Sequence, residues 1–143
     1  MTFQKYFTDP SNLEEISYLN SRVYLIDNDI IIWKHLPYMT ELSLEVMSKK
    51  LLDYNDKIER KYIIVDMTEL QERLDKRLRL RSREIVNMLS NVEHMIFIFG
   101  KKKMLPILIN LVMKISRYPN YAQKNTLEEG ISYIQFIKYL KNI

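Results

Sequence analysis

Two short apolar runs, Tyr62-Ile63-Ile64-Val65 and Met95-Ile96-Phe97-Ile98-Phe99, stand on either side of a charged segment with helical periodicity. Apolar runs this short, the first ending at Asp66 and the second before Gly100, read as strands buried on both faces. Such strands are parallel as a rule, and parallel neighbours need a crossover of about a dozen residues or more. The arginine-rich segment Asp75–Leu89 supplies that crossover as a helix. Lys61 to Gly100 is therefore strand, connection, helix, strand, and the other segments arrange themselves around it.

Upstream, Val23-Tyr24-Leu25-Ile26 and Ile30-Ile31-Ile32-Trp33 flank Asp27-Asn28-Asp29, which predicts a β-hairpin. The tip lacks glycine, but Asp and Asn tolerate left-handed backbone. Pro37 ends the second strand. Thr40 then reads as an N-cap, with Met39 and Leu44 as a hydrophobic staple, for a helix over about Glu41–Tyr54. Before the hairpin, Ser11-Asn12-Leu13-Glu14 has capping-box spacing after Pro10, which predicts a short helix over about Asn12–Leu19 with Leu13, Ile16 and Leu19 as its docking stripe.

On the arginine-rich helix, Leu74, Leu78, Ser82, Ile85 and Leu89 share one face. Lys76, Arg79 and Arg83 fall on one flank, and Arg77 and Arg81 on the other beside Glu84. The cations make two flanks and not one stripe, which weakens a nucleic-acid reading. After Gly100, three lysines lead to Pro106, which suits a first helical turn. The helix expected over about Leu105–Ser116 is apolar around most of its circumference, with Ile109 and Met113 on the flank of its apolar arc. Such a helix is covered on two sides or offers a surface for association. Tyr121–Lys124 reads as a short edge strand, and Thr126-Leu127-Glu128-Glu129 as a capping box for a last helix presenting Leu127, Gly130, Tyr133, Ile134 and Ile137 to a sheet.

The expected fold class is α/β: a mixed, mainly parallel five-stranded sheet with helices packed on it, in the order ββαβαβαβα, plus a short N-terminal helix. At 143 residues the chain reads as one domain over 21–143 with an N-terminal extension over 1–20. The absence of cysteine excludes a disulfide scaffold and thiolate chemistry and fits a reducing compartment. Met1–Asp9 has neither the apolar core nor the small-residue cleavage site of a signal peptide. Met104–Ile115 would extend only about 18 Å as a helix, too short for a bilayer. The expectation is a soluble, cytoplasmic protein.

That order and several local signatures resemble the STAS domain superfamily, the fold of the anti-sigma-factor antagonists, and more narrowly the small bacterial STAS-like proteins. The parts that carry the likeness are the hairpin Tyr24–Trp33, the strand ending Val65-Asp66-Met67-Thr68, Ser82-Arg83, Tyr118-Pro119, and Thr126-Leu127-Glu128-Glu129-Gly130. Together they span about residues 21–141. The resemblance implies a regulatory module whose partner binding is switched by phosphorylation of a serine at the start of the second helix. A phosphate there sits on free amide donors and recharges the surface that a partner meets. In this chain Gln71–Lys76 contains no hydroxyl, and Asp75 is the expected cap. Thr68 is the hydroxyl left to serve as a switch, and its plainer reading is a turn residue bonding to backbone. Ser82 reads as a small packing residue.

No reactive constellation is spelled out. Glycine occurs only at 100 and 130, so neither a P-loop nor a dinucleotide fingerprint can be built. His35 and His94 lack companions at metal-ligand spacing. Asp66 ends a central strand, where open α/β sheets place ligand-contacting groups, and it reads also as a turn residue. The leading expectation is a non-enzymatic STAS-like interaction module with no metal or cofactor. It would bind a protein partner or itself, with a homodimer through Ile109 and Met113 as the specific form. Asp66, Asp75, Lys76, Arg79 and Arg83 are the candidate ligand or partner surface. The alternatives are a nucleic-acid or anionic-surface binder using Lys76, Arg79 and Arg83, and a carrier of a small apolar ligand.

Overall fold

The structure, a computed structural model, describes residues 5–100 and 120–142. In chain order its elements are α1 (Leu13–Ser21), β1 (Val23–Ile26), β2 (Ile30–Lys34), α2 (Glu41–Lys57), β3 (Lys61–Asp66), α3 (Lys76–Met88), β4 (Val92–Ile98), β5 (Tyr121–Lys124) and α4 (Leu127–Lys141). The five strands form one sheet in the order β1-β2-β3-β4-β5. β1 and β2 are antiparallel, and every later pair is parallel. The fold class is the expected one. The helix expected over 105–116, with Ile109 and Met113, lies outside the described residues, as does Tyr118-Pro119.

Alternation along the strands divides the core in two. Ile31, Trp33, Ile63, Met95, Phe97 and Phe99 point toward α1, α2 and α3 and pack with Leu19, Leu44, Met47, Leu51, Leu78, Ile85 and Leu89. Ile30, Ile32, Tyr62, Ile64, Ile96 and Ile98 point the other way and pack under Ile134 of α4. Both faces are covered, which is why the strand runs are unbroken apolar sequences. Each such side chain contributes about 1.5–3 kcal/mol through removal from water. Crossovers of one hand, β2–α2–β3 and β3–α3–β4, bring α2 and α3 to the same side. Phe7 and Leu19, from the stretch before β1, belong to that first core.

The hairpin turns on Asp27 (φ 55°) and Asn28 (φ 67°), two successive left-handed residues of the kind a type I′ turn requires. At the start of β4 the pairing shifts from Lys61↔Val92 to Tyr62↔His94. One extra residue there rotates Val92 onto the α2–α3 face, an effect expected of a bulge.

The caps follow the sequence with one correction. Thr40 accepts from the Ser43 amide, and Ser43 Oγ accepts from the Thr40 amide at 2.8 Å, a closed capping box. Asp75 caps α3 through the Leu78 amide, and Thr126 caps α4 through that of Glu129. For α1 the cap is Asn12, which accepts from the Glu15 amide, and not Ser11, whose hydroxyl and amide donate to Asp9. The expected α1 stripe holds at Ile16 and Leu19, which pack in the first core, but not at Leu13. Leu13 is 79% exposed, while Glu15 and Leu19 are the buried residues.

Candidate functional site

The carboxyl ends of β2, β3 and β4 are where a parallel sheet presents groups to a ligand. Asp66 is buried at the end of β3. Its Oδ1 accepts both the Thr68 amide at 3.0 Å and the Thr68 hydroxyl at 2.7 Å. The pair forms an Asx turn closed by a side-chain hydroxyl, which fixes the exit of β3. Thr68 is exposed and precedes the first residue of α3 by eight positions, so it does not sit on that helix's free amides. Gly100, at φ 62°, lies two residues past the end of β4, and a Cβ there would lie 3.5 Å from Thr68 Cγ2. Burial, and then the Asp66 charge, push the Tyr24 phenol above its usual pKa.

Beside this turn Arg22 is buried, with Nε donating to the Lys34 carbonyl at 3.1 Å and Nη2 to the His35 carbonyl at 3.0 Å. Nη2 also pairs with the Glu69 carboxylate, and the guanidinium lies over the Tyr18 ring. Trp33 Nε1 donates to His35 Nδ1 at 3.2 Å, so that nitrogen carries no proton of its own. Arg22 thus holds the loops after β2 and β3 to each other. Its geometry spends the donors on backbone carbonyls, one carboxylate and, from Nη1, the Tyr18 hydroxyl at 3.4 Å. Sequence reading missed this network because its partners lie 12 to 47 residues away.

The two histidines are at opposite ends of the sheet. His35 follows β2 at its carboxyl end, whereas His94 starts β4 with its ring edge-on to Tyr133, centroids 5.9 Å apart. Burial, and then the Lys141 charge, hold His94 below the usual imidazole range. Among the described residues, no group of three or more His, Asp or Glu side chains is placed to hold a metal ion, and no helix is long and apolar enough to cross a membrane.

Charged side chains line two surface concavities. One, of about 700 Å³, lies at the amino ends of β3 and β4 and is lined by Glu59, Arg60, Asn91, Glu93 and Lys141 among others. Its Glu93–Lys141 ion pair at 2.7 Å lowers the carboxyl pKa and raises that of the amine. The other, of about 720 Å³, runs between α2 and α3. There Arg77 pairs with Glu41 at 2.8 Å, and Arg81 takes Glu45 with Nε and Nη2 and Glu84 with Nη1. The hydrogen bond to Arg81 pulls the Glu45 carboxyl below its usual range.

The sequence-derived surface residues separate into different roles. Asp66 is closed on Thr68, and Asp75 is a helix cap. Lys76, Arg79 and Arg83 are exposed on the outer side of α3, with no acidic partner at ion-pair distance among the described residues. A further surface was not foreseen. Phe136, Tyr139 and Leu140 of α4 are 57%, 64% and 52% exposed at i, i+3 and i+4, opposite the face that carries Ile134. The spacing was legible, but reading the helix only for what faces the sheet passes over it. In comparisons with known proteins, no family model matches the chain, and no curated protein or solved structure shows significant similarity to it.

Proposed function

We propose that this chain is a non-enzymatic STAS-like regulatory module that works by binding a protein partner, or a second copy of itself, through an exposed helix surface. The observation that carries the reading is the outer face of α4, where Phe136, Tyr139 and Leu140 are each more than half exposed in adjacent turns. Isolated apolar side chains at a surface are ordinary, whereas a run of three large ones on one helix face marks an association site. The STAS-like part of the proposal rests on the order and spacing of the motifs in the sequence. Homodimer formation through Ile109 and Met113 belongs to the same proposal.

The experiment is light scattering of the purified protein over a range of concentrations, together with affinity capture from native extract. Wild type is expected to self-associate or to retain a partner, and Phe136→Ser/Leu140→Ser is expected to abolish this at unchanged melting temperature. A strict monomer that captures nothing counts against the module. So does capture that is indifferent to the double substitution and to Met113→Asp.

A second reading, contact with nucleic acid or an anionic surface, is favoured by the exposed state of Lys76, Arg79 and Arg83. It requires binding that weakens steeply with salt.

A further inference from the structure

The five cations of α3 are used in two different ways. Arg77 and Arg81 face α2 and are held by Glu41, Glu45 and Glu84. Lys76, Arg79 and Arg83 face outward, exposed. At about 100° per residue they share an arc of roughly 100° with Leu80 and Asn87, opposite Leu78, Ile85 and Leu89.

This outward stripe works against the helix that carries it. Lys76 and Arg79 are i, i+3 neighbours and Arg79 and Arg83 are i, i+4 neighbours, like-charge spacings that destabilise a helix. Beyond the Asp75 cap, whose carboxylate meets the helix dipole, the first turn holds Lys76 and Arg77 and no acid, the reverse of what the dipole favours. Nothing else in the fold draws on these three side chains among the described residues. A local rule broken without return to stability points to a surface kept for contact.

Two further features define what it contacts. Leu80, 49% exposed, borders the stripe on its α2 side, one turn from both Lys76 and Arg83, and Met88, 54% exposed, lies two turns on. An apolar side chain beside the cations suits a protein segment with its own apolar anchor and does nothing for a phosphate backbone. Arginine's planar fork also matches carboxylates in a bidentate manner.

We infer that the outer face of α3 binds an acidic amphipathic segment of a partner protein, with carboxylates on Lys76, Arg79 and Arg83 and an apolar side chain over Leu80. The inference rests on the interaction-module reading and gives it a second, chemically defined surface. The test is fluorescence anisotropy with a labelled helical peptide carrying Glu and Leu on one face. A Glu→Gln version of the peptide, duplex DNA and phosphatidylserine vesicles serve as competing probes.

The acidic peptide should bind wild type and lose at least about tenfold in affinity with Arg79→Gln/Arg83→Gln. It should also weaken with Leu80→Ser, and the Gln peptide should not bind. Melting of the double variant at low salt should be equal to or above wild type, because repulsion has been removed. Peptide binding that is absent, or unchanged in both variants, overturns the inference. So does tighter binding of DNA or vesicles that depends on Arg79 and Arg83 but ignores Leu80→Ser. If the α3 assignment alone is wrong, Phe136-dependent association persists; if the module reading is wrong, that association is absent too.

Discussion

Gly130 of α4 lies so close to Ile98 of β4 that a Cβ at position 130 would sit 3.0 Å from Ile98 Cδ1, with Ile96 Cγ2 at 3.4 Å. The missing side chain is what lets α4 lie down on the sheet. Gly130→Ala gains about 1 kcal/mol in helix propensity and must displace only the end of a flexible side chain. Its net effect on stability is expected within about 1 kcal/mol of zero. Gly130→Val brings two further methyls into the same gap and is expected to cost about 1–3 kcal/mol. Urea denaturation of the two variants measures the difference, and equal effects would remove close approach as the reason for glycine.

A buried cation ties the other face together. Lys61, fully buried at the start of β3, donates from Nζ to Asn55 Oδ1 at 3.0 Å and to the Ser90 carbonyl, and the same Asn55 oxygen accepts the Ser90 amide at 2.9 Å. Asn55→Ala strips a partner from both donors at once, and is expected to cost about 2–3 kcal/mol. Burial lowers the Lys61 pKa. Between that lowered value and the unfolded one the unfolded chain holds more protons, so stability contributed here rises as alkali is added through that window. Lys61→Met should lack this rise in denaturation curves taken at alkaline pH.

His94 sets an opposite limit, toward acid. Its folded pKa lies below the ordinary 6.5, with Tyr133 and Lys141 of α4 and its own neighbour Glu93 as the groups that face it. The unfolded chain therefore takes up a proton first as pH falls below about 6.5, and stability declines until the folded pKa is passed. His94→Phe keeps the ring contact and should flatten that part of the acid slope in thermal melts. An unchanged slope would show that the imidazole is not responsible.

Arg22 should matter more than its ion pair. The Glu69 carboxylate is about half exposed, so Glu69→Gln is expected to change stability by less than about 1 kcal/mol. Arg22→Met leaves the Lys34 and His35 carbonyls without their donors and is expected to cost about 2–4 kcal/mol. Calorimetry of both variants separates the two contributions.

Much of this architecture can be read from sequence because the signals are local. The runs at Ile63, Phe97 and Ala122 do lie side by side, and Thr40, Asp75 and Thr126 do cap their helices. What escapes is non-local. Lys61 reads as a solvated charge until Asn55 and Ser90 converge on it, and Arg77 and Arg81 find their carboxylates 36 residues upstream. The outward apolar face of α4 escapes for a different reason. Leu127, Gly130, Tyr133, Ile134 and Ile137 sufficed to assign its inner face, which drew attention away from the apolar residues on the other side. Of the candidate site residues the structure describes, Asp66, Thr68 and Asp75 hold local structure, and the outward cations of α3 face solvent.

The account holds that helix faces, and not a cleft at the strand ends, are the working surfaces. Gel filtration of native extract tests this most directly, with the protein and its Phe136→Ser/Leu140→Ser variant followed side by side. The account predicts wild type eluting above its monomer mass and the equally stable variant returning to it. Wild type eluting as a monomer, or both forms eluting together in one larger complex, would contradict it.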